Sequence, residues 1–402
     1  MRTKLLSLGV LAGLLLLAAT AQAQWTVKGP TEDSFIKIGF LFQGQAEWID
    51  LNDTHAGRTI ESRDVAQNLF VRRFRILMGG QINSKLSFFL ETDSPNLGKY
   101  DTALQRKNDG GIYLQDFFAT YAFADEFKID FGLMLIPLSH NSEQSAATLL
   151  PIDYGPFSFV SDAKTTDFTQ SRVGRDYGVQ ARGYVFDKHF EYRAGVYQGN
   201  RDLGKQDVYN AAGTKILKRN GGQEAQFRYA GRVVIHFLDP EDGFFYTGTT
   251  LGKKNIFSIG ASADVQGNNY KAYAADLFWD QPIGDGNAIT FQFDYIYLDG
   301  SSTKTFPGDP YFTLMAQNDY LAEFGYFNQA AKAGFYAQWA EQNFVQLQLQ
   351  DEKRYQVGLV YWGLGHNFNV KAGYGVLYTE RTHKKNHLYR DQYVVQCQVF
   401  MY

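Results

Sequence analysis

Beyond residue 24, apolar side chains recur at every second position in stretch after stretch. In Ser258–Gln266, Ile259, Ala261, Ala263 and Val265 alternate with small or polar residues, and Ile289–Tyr295 repeats the pattern. Successive side chains of a strand point to opposite faces, so each stretch has one greasy face and one wet face. The chain can be cut into sixteen such segments: 35–48, 66–78, 84–93, 112–123, 126–136, 175–186, 189–198, 226–237, 255–266, 269–280, 287–298, 318–327, 332–341, 354–362, 367–378 and 388–401. Each has at least roughly the 9–11 residues that a tilted strand needs to cross a bilayer. The fold class read from this is all-β: a transmembrane antiparallel β-barrel with lipid outside and water inside. A large secreted β-sandwich or solenoid would show the same alternation and is the competing fold.

The connections alternate in length, as such a barrel requires. Short turns belong to the periplasmic end and longer loops to the outer end. Residues 49–65, 94–111, 137–174, 199–225, 299–317 and 342–353 are the long ones; 79–83, 124–125, 187–188, 328–331 and 363–366 are short. Two connections break the rule. Residues 238–254 are long on the periplasmic side, and Gln266-Gly267-Asn268-Asn269 makes a tight outer hairpin from good turn residues. Residues 24–34 read as a periplasmic lead-in.

The same period assigns side chains to the lumen. Lys37, Gln43, Gln45 and Glu47 oppose Ile38, Phe40, Phe42 and Trp48 on the first segment. Arg73 and Arg75 oppose Phe70, Phe74, Ile76 and Met78 on the second, and Lys85, Glu91 and Asp93 point inward on the third. Arg72 falls on the apolar face, where a charge at mid-bilayer costs about 2–4 kcal/mol, so it must sit at an interface or the register slips there. Asp176, Arg182, Glu191, Arg193, Arg228, Arg232 and His236 follow on segments six to eight, then Asp264, Asp276, Asp294 and Glu323 on segments nine to twelve. Arginines thus gather on one side and carboxylates on the other. Facing basic and acidic walls are expected to put a transverse field across a water-filled pore; mutual neutralisation inside a plugged barrel is the alternative.

The longest outer connection, 137–174, carries Pro137, Pro151 and Pro156, an apolar set (Leu149, Leu150, Ile152, Tyr154, Phe157, Phe159) and the charges Asp162, Lys164, Asp167, Arg172 and Arg175. A loop of this length is functional or disordered, and its aromatics argue against disorder. It is expected to fold inward and narrow the pore; capping a neighbouring subunit is the alternative.

Composition adds compartment. Arg2 and Lys4, the apolar run Leu5–Ala19 and Ala21-Gln22-Ala23 form a secretory signal peptide over residues 1–23, leaving one barrel domain over 24–402. Its removal takes away two positive charges and no carboxylate, so the remaining chain is more acidic than the formal net charge of −3. No other stretch reaches the roughly 18 apolar residues of a spanning helix, which leaves closed barrels as the way to cross a second membrane. The 33 Phe, 26 Tyr and 5 Trp suit aromatic girdles at two lipid–water boundaries. Cys397, the single cysteine, excludes an intrachain disulfide and lies on the apolar face of the last segment. No basic tail points to nucleic acid, and no cofactor is implied.

Catalysis finds little support. His140-Asn141-Ser142 are adjacent loop residues, poorly placed for a nucleophile–base pair, and His383 and His387 lie in the last outer loop beside Lys384 and Lys385, which reads as a solvated loop rather than a metal site. A surface receptor or adhesion scaffold, with the barrel as anchor only, remains the second functional class. The last segment alternates up to a terminal Tyr402, a pattern that resembles the signal read by the outer-membrane assembly machinery.

Several stretches resemble the family of phosphate-selective porins O and P. Phe70-Val71-Arg72-Arg73-Phe74-Arg75-Ile76 with Lys85-Leu86-Ser87-Phe88-Phe89-Leu90-Glu91 resembles its basic second strand and the third strand that follows. Phe131–Ser139 resembles the entry into its constriction loop, and Gly174-Arg175-Asp176-Tyr177-Gly178-Val179 the exit. Gly231–Gly252, with Phe237-Leu238-Asp239-Pro240 and Phe245-Tyr246-Thr247-Gly248, is similar to its long turn, and Ala274-Ala275-Asp276 continues it. The resemblance implies a sixteen-stranded trimeric barrel and passive uptake of solutes, phosphate or polyphosphate in the best-known members; the expected partners are outer-membrane lipid and lipopolysaccharide and small anionic or neutral solutes. It also implies an arginine ladder, matched here by Arg73, Arg75 and Arg175, and constriction lysines, for which the loop offers Lys164 among aspartates. Arg182, Arg193, Arg228 and Arg232 would add to an anion path if they converge near the constriction.

Overall fold

The computed structural model describes residues 25–50, 65–101, 106–159, 174–199, 207–209, 215–218, 226–267, 270–299, 316–345, 351–379 and 388–402. The signal peptide, Lys164, and His383 and His387 lie outside them. Sixteen long strands form one closed antiparallel sheet: β1 Phe35–Asp50, β2 Val65–Gln81, β3 Leu86–Asp93, β4 Tyr113–Ala124, β5 Phe127–Leu135, β6 Arg175–Val185, β7 Phe190–Tyr197, β8 Arg228–His236, β9 Ile256–Gln266, β10 Tyr270–Ile283, β11 Asn287–Asp299, β12 Gln317–Asn328, β13 Ala333–Phe344, β14 Glu352–Tyr361, β15 Phe368–Thr379 and β16 Leu388–Met401. Each matches a segment of the hydrophobic pattern. Closure follows from β1 pairing with both β2 and β16, with Phe40 opposite Met401 and Ile49 opposite Gln392. The lead-in is more than a tail: Trp25–Lys28 pairs with Phe35–Ile38 and continues the β16 side of the seam past the chain end.

The seam is tight. A Cβ at Gly39 would stand 1.9 Å from the Met401 carbonyl oxygen, so only glycine admits the last residues of β16. Outward side chains are apolar and exposed, with aromatic pairs near both rims. Tyr295 and Tyr320 (5.2 Å) and Tyr374 and Tyr393 (5.0 Å) lie toward the loop end, Phe123 and Phe127 (5.3 Å) at the turn end.

Two positions depart from the simple alternation. Between Gln43 and Gly44 the β1–β2 register slips: Gln43 faces Arg73 while Gly44 faces Val71, and Arg72 is the extra residue. A bulge reverses parity beyond it, so Phe70 is buried inside and Leu69 is exposed, opposite to the expected placement of Phe70. Lys85, expected on the wall, is an exposed residue of the short turn before β3, where the Asn83 side chain accepts from its backbone N–H. The strand begins one residue later, which moves Lys85 from the wall to the periplasmic mouth.

Candidate pore and its constriction

The lumen is filled from both ends. At the end of β5, Gly132 takes φ +141, and a Cβ there would lie 2.2 Å from the Phe117 carbonyl oxygen. Only glycine suits this position; β5 stays paired with β6 through Leu135, after which the chain turns inward, and from Leu133 on nearly every side chain is buried. A short 3-10 turn, Asn141–Glu143, sits at the centre with its residues 0–4 % exposed. The long connection after β8 folds in from the opposite, short-turn end. The two segments meet edge to edge: Tyr246 N–H donates to the Glu143 carbonyl (3.0 Å), Ser145 N–H donates to the Tyr246 carbonyl (2.9 Å), and Gln144 and Tyr246 form a parallel bridge. His140 stacks between Tyr246 (4.9 Å) and Phe278 (4.0 Å). This explains why the connection after β8 is long: it completes the constriction as well as turning the chain.

Apolar contacts fasten the loop to opposite walls. Leu150 and Ile152 pack on Phe327, Tyr336, Val360 and Trp362, while Ala146 and Ala147 pack on Leu41 and Leu77. Wall side chains satisfy the loop's backbone. Lys371 donates to the carbonyls of Leu149 and Pro151, both at 2.6 Å, and Gln43 and Gln398 donate to those of Ala146 and Ala147 at 3.2 and 2.8 Å. A buried carbonyl without such a donor is costly, so these polar wall residues hold an irregular backbone inside the barrel.

Ion pairs complete the anchorage. Asp153 accepts from Arg72 (2.7 Å) and Arg73 (2.5 Å), with Arg73 also over the Tyr154 ring and bonded to Gln43. The bulge is what turns Arg72 away from lipid and gives Asp153 two guanidinium partners. Burial raises the Asp153 carboxyl, but Arg72 and Arg73 outweigh it and hold it below the usual carboxylate range. Glu143 meets Arg193 at 2.6 Å and Arg232 at 3.7 Å. His140 meets Glu241 of the periplasmic segment at 2.8 Å; burial alone would lower its pKa, yet Glu241, Asp276 and Asp294 together carry it above the ordinary histidine value.

The expected basic and acidic walls do not face each other across open water. Arg228 pairs with Asp264, and Arg232 with Asp276 at 2.5 Å, across neighbouring strands β8, β9 and β10. Arg75 binds Glu91 (2.6 Å) and Asp93 (3.0 Å), Arg175 binds Asp116 (3.2 Å), Arg182 binds Asp130 (2.7 Å), and Arg193 binds Glu191 (2.7 Å) as well as Glu143. Asp294 accepts from the Asn141 backbone N–H (3.0 Å) and Gln292 (2.8 Å). Segregation along the sequence became local pairing because the arginine-rich and carboxylate-rich strands are adjacent at β8–β10. Asp280, Asp294, Asp319 and Glu323, on β10 to β12, accept hydrogen bonds from hydroxyls, amides and backbone N–H groups.

Sequence reasoning flagged Arg72 as the place of a register slip, and passed over Asp116, Asp130, Glu143, Asp153 and Lys371. Asp116, Asp130 and Lys371 were accessible to the period-two rule. Asp153 also left a trace, as a lone carboxylate in the apolar run from Leu149 to Tyr154.

The model of the family described as phosphate-selective porin O and P matches residues 43–230. Among solved structures, the outer membrane channel DcaP of Acinetobacter baumannii is similar at TM-score 0.55 and 10% identity, covering 93% of this chain and 99% of its own. An anion-selective porin from Comamonas acidovorans is similar at TM-score 0.53 and 10% identity, covering 92% of this chain and all of its own. No curated protein sequence matches. The chain folds as a sixteen-stranded closed antiparallel β-barrel, the fold of these outer-membrane channels, and its residues 43–230, just under half its length, match the model of the phosphate-selective porin O and P family.

Proposed function

We propose that the protein is a passive outer-membrane channel for small hydrophilic solutes, with its passage set by the joint constriction of residues 137–159 and 237–255. The observation that carries this reading is the inner wall. It is polar on every strand of a closed barrel, and two inserted segments narrow it without forming a separate plug domain. Transport needs no bond chemistry; polar walls replace part of a solute's hydration and must bind weakly enough to release it. A channel rather than an enzyme also fits the use of His140, which is stacked and ion-paired within the constriction.

The pairing of the lumen arginines bears on selectivity. Guanidinium groups already matched by carboxylates attract anions weakly. The channel is therefore expected to discriminate weakly by charge, and phosphate is not expected to be a preferred solute. Reversal potentials across a salt gradient in a planar bilayer test this. A near-zero potential supports it; a strong anion-side potential with saturable phosphate block overturns it. Assembly as a homotrimer and targeting through the strand ending at Tyr402 belong to the same reading, checked by crosslinking and by outer-membrane yield after deletion of Tyr402.

A further inference from the structure

Two voids among the described residues flank the constriction loop. One, against β11 and β12 beside Ser158 and Asp319, has a volume of about 10 Å³. The other, against β1–β3, has about 70 Å³. A water needs roughly 10–15 Å³ of such space, so the first void holds about one and the second about five. The second void runs past both inserted segments. Its lining extends from Arg175, where β6 starts at the loop end, past Gln144 and Ala147 to Tyr402 at the turn end. Arg75 in this lining is matched by Glu91 and Asp93, and Arg175 by Asp116. The void is therefore a polar-edged file of waters, and a larger solute crosses it only if one side gives way.

Most sides are fixed. Leu41 and Leu77 pack on Ala146 and Ala147, and Gln43 and Gln398 hold the loop's carbonyls. The Tyr402 hydroxyl fills the space that Gly79 leaves, where a Cβ would overlap it. Phe245 differs. It is the residue that the periplasmic segment contributes to the lining, it is half-buried, and its ring meets Phe89 at 5.4 Å and Phe244 at 5.1 Å, both edge-on. The backbone beside it is pinned, because Tyr246 bonds to Glu143 and Ser145. The ring can thus turn about its side-chain bonds while the segment stays in place. We infer that solutes cross the constriction through this void, between the loop and β1–β3, and that the Phe245 ring is the movable side that sets its aperture. The inference rests on the porin reading and names the route and the limiting side chain within it. Apolar constrictions gate a pore by shedding water, so a ring placed here passes ions and solutes when it is turned aside.

The test is single-channel recording of the purified full chain and of variants whose folding is verified by heat-modifiable mobility on gels. Phe245→Ala is expected to raise conductance by about twofold, and Phe245→Trp to lower it by a similar factor. Thiol chemistry then locates the route. In a Cys397→Ser background, which removes the single native thiol, Phe245→Cys is treated with a bulky methanethiosulfonate during recording. The thiolate displaces sulfinate and forms a mixed disulfide, which should cut the current by about half; a reducing thiol should restore it. Ser158→Cys, beside the smaller void on the β11–β12 side of the loop, should not respond. Unchanged conductance in both Phe245→Ala and Phe245→Trp, or a response at Ser158→Cys with none at Phe245→Cys, overturns the inference while leaving the channel intact. Absence of any ion conductance from the folded wild-type barrel overturns the porin reading itself.

Discussion

The side chain that best shows how the lumen is organised is Asp153. It joins a loop residue to two adjacent arginines of β2, one of which reaches it only because a bulge turns Arg72 inward. Its carboxyl is about one quarter exposed, which moderates the pair's strength. Asp153→Asn is still expected to loosen the loop by about 2 kcal/mol, since it leaves two neighbouring guanidinium groups without a carboxylate. Open-channel current noise should rise in that variant while barrel thermal stability changes little; unchanged noise would contradict the anchoring role. His140 and Asp153 also set a pH window. The Asp153 pKa is lowered on folding, so its contribution is present above the ordinary carboxylate value, about 4, and lost as pH falls through the depressed value. The His140 pKa is raised, so its contribution is full below the ordinary histidine value, about 6.5, and lost as pH rises through the higher folded value. Conductance recorded from acid to alkaline pH should be steady in mildly acidic solution and noisier on the alkaline side. His140→Gln should abolish that alkaline change; a change that persists in the variant would assign it to another group.

At the scale of elements, the two connections that carry the constriction behave differently from the turns that only reverse the chain. Residues 237–255 lie on the short-turn side yet place Glu241 and Tyr246 against the outer loop. Shortening this segment by removing Glu241–Thr247 and bridging with two glycines should leave the barrel folded and raise single-channel conductance, because one of the two inserted walls is gone. Conductance equal to wild type would mean that the outer loop alone sets the pore. The seam is a second element-scale test. Gly39→Leu would drive a side chain into the Met401 carbonyl position, and far-reduced yield of folded, heat-modifiable barrel is expected. The strands themselves were legible in the sequence because lipid outside and water inside impose a period of two that no other environment here disturbs. Arg72 was legible only as a conflict: a charge on the lipid face demanded a slip, and the bulge is that slip. Lys85 misled because the alternation of β3 runs one residue into the turn. Which lumen charges pair could not be read from any strand alone. Arg232 and Asp276 are 44 residues apart in sequence, and their meeting depends on the register of three strands.

At the scale of the whole molecule, a closed barrel removes free strand edges and encloses a polar interior. That interior is not an empty tube: the loop from β5 and the connection after β8 meet at its centre, and guanidinium–carboxylate pairs line most of its circumference. In the proposed channel, solutes would pass only through what the two inserted segments leave open. Single-channel recording of the purified protein, with the reversal potential measured under a salt gradient, tests this most directly. Stable, discrete openings with weak charge selectivity are expected. A correctly folded barrel that shows no openings would contradict a conducting pore and favour a barrel that serves only as a membrane anchor.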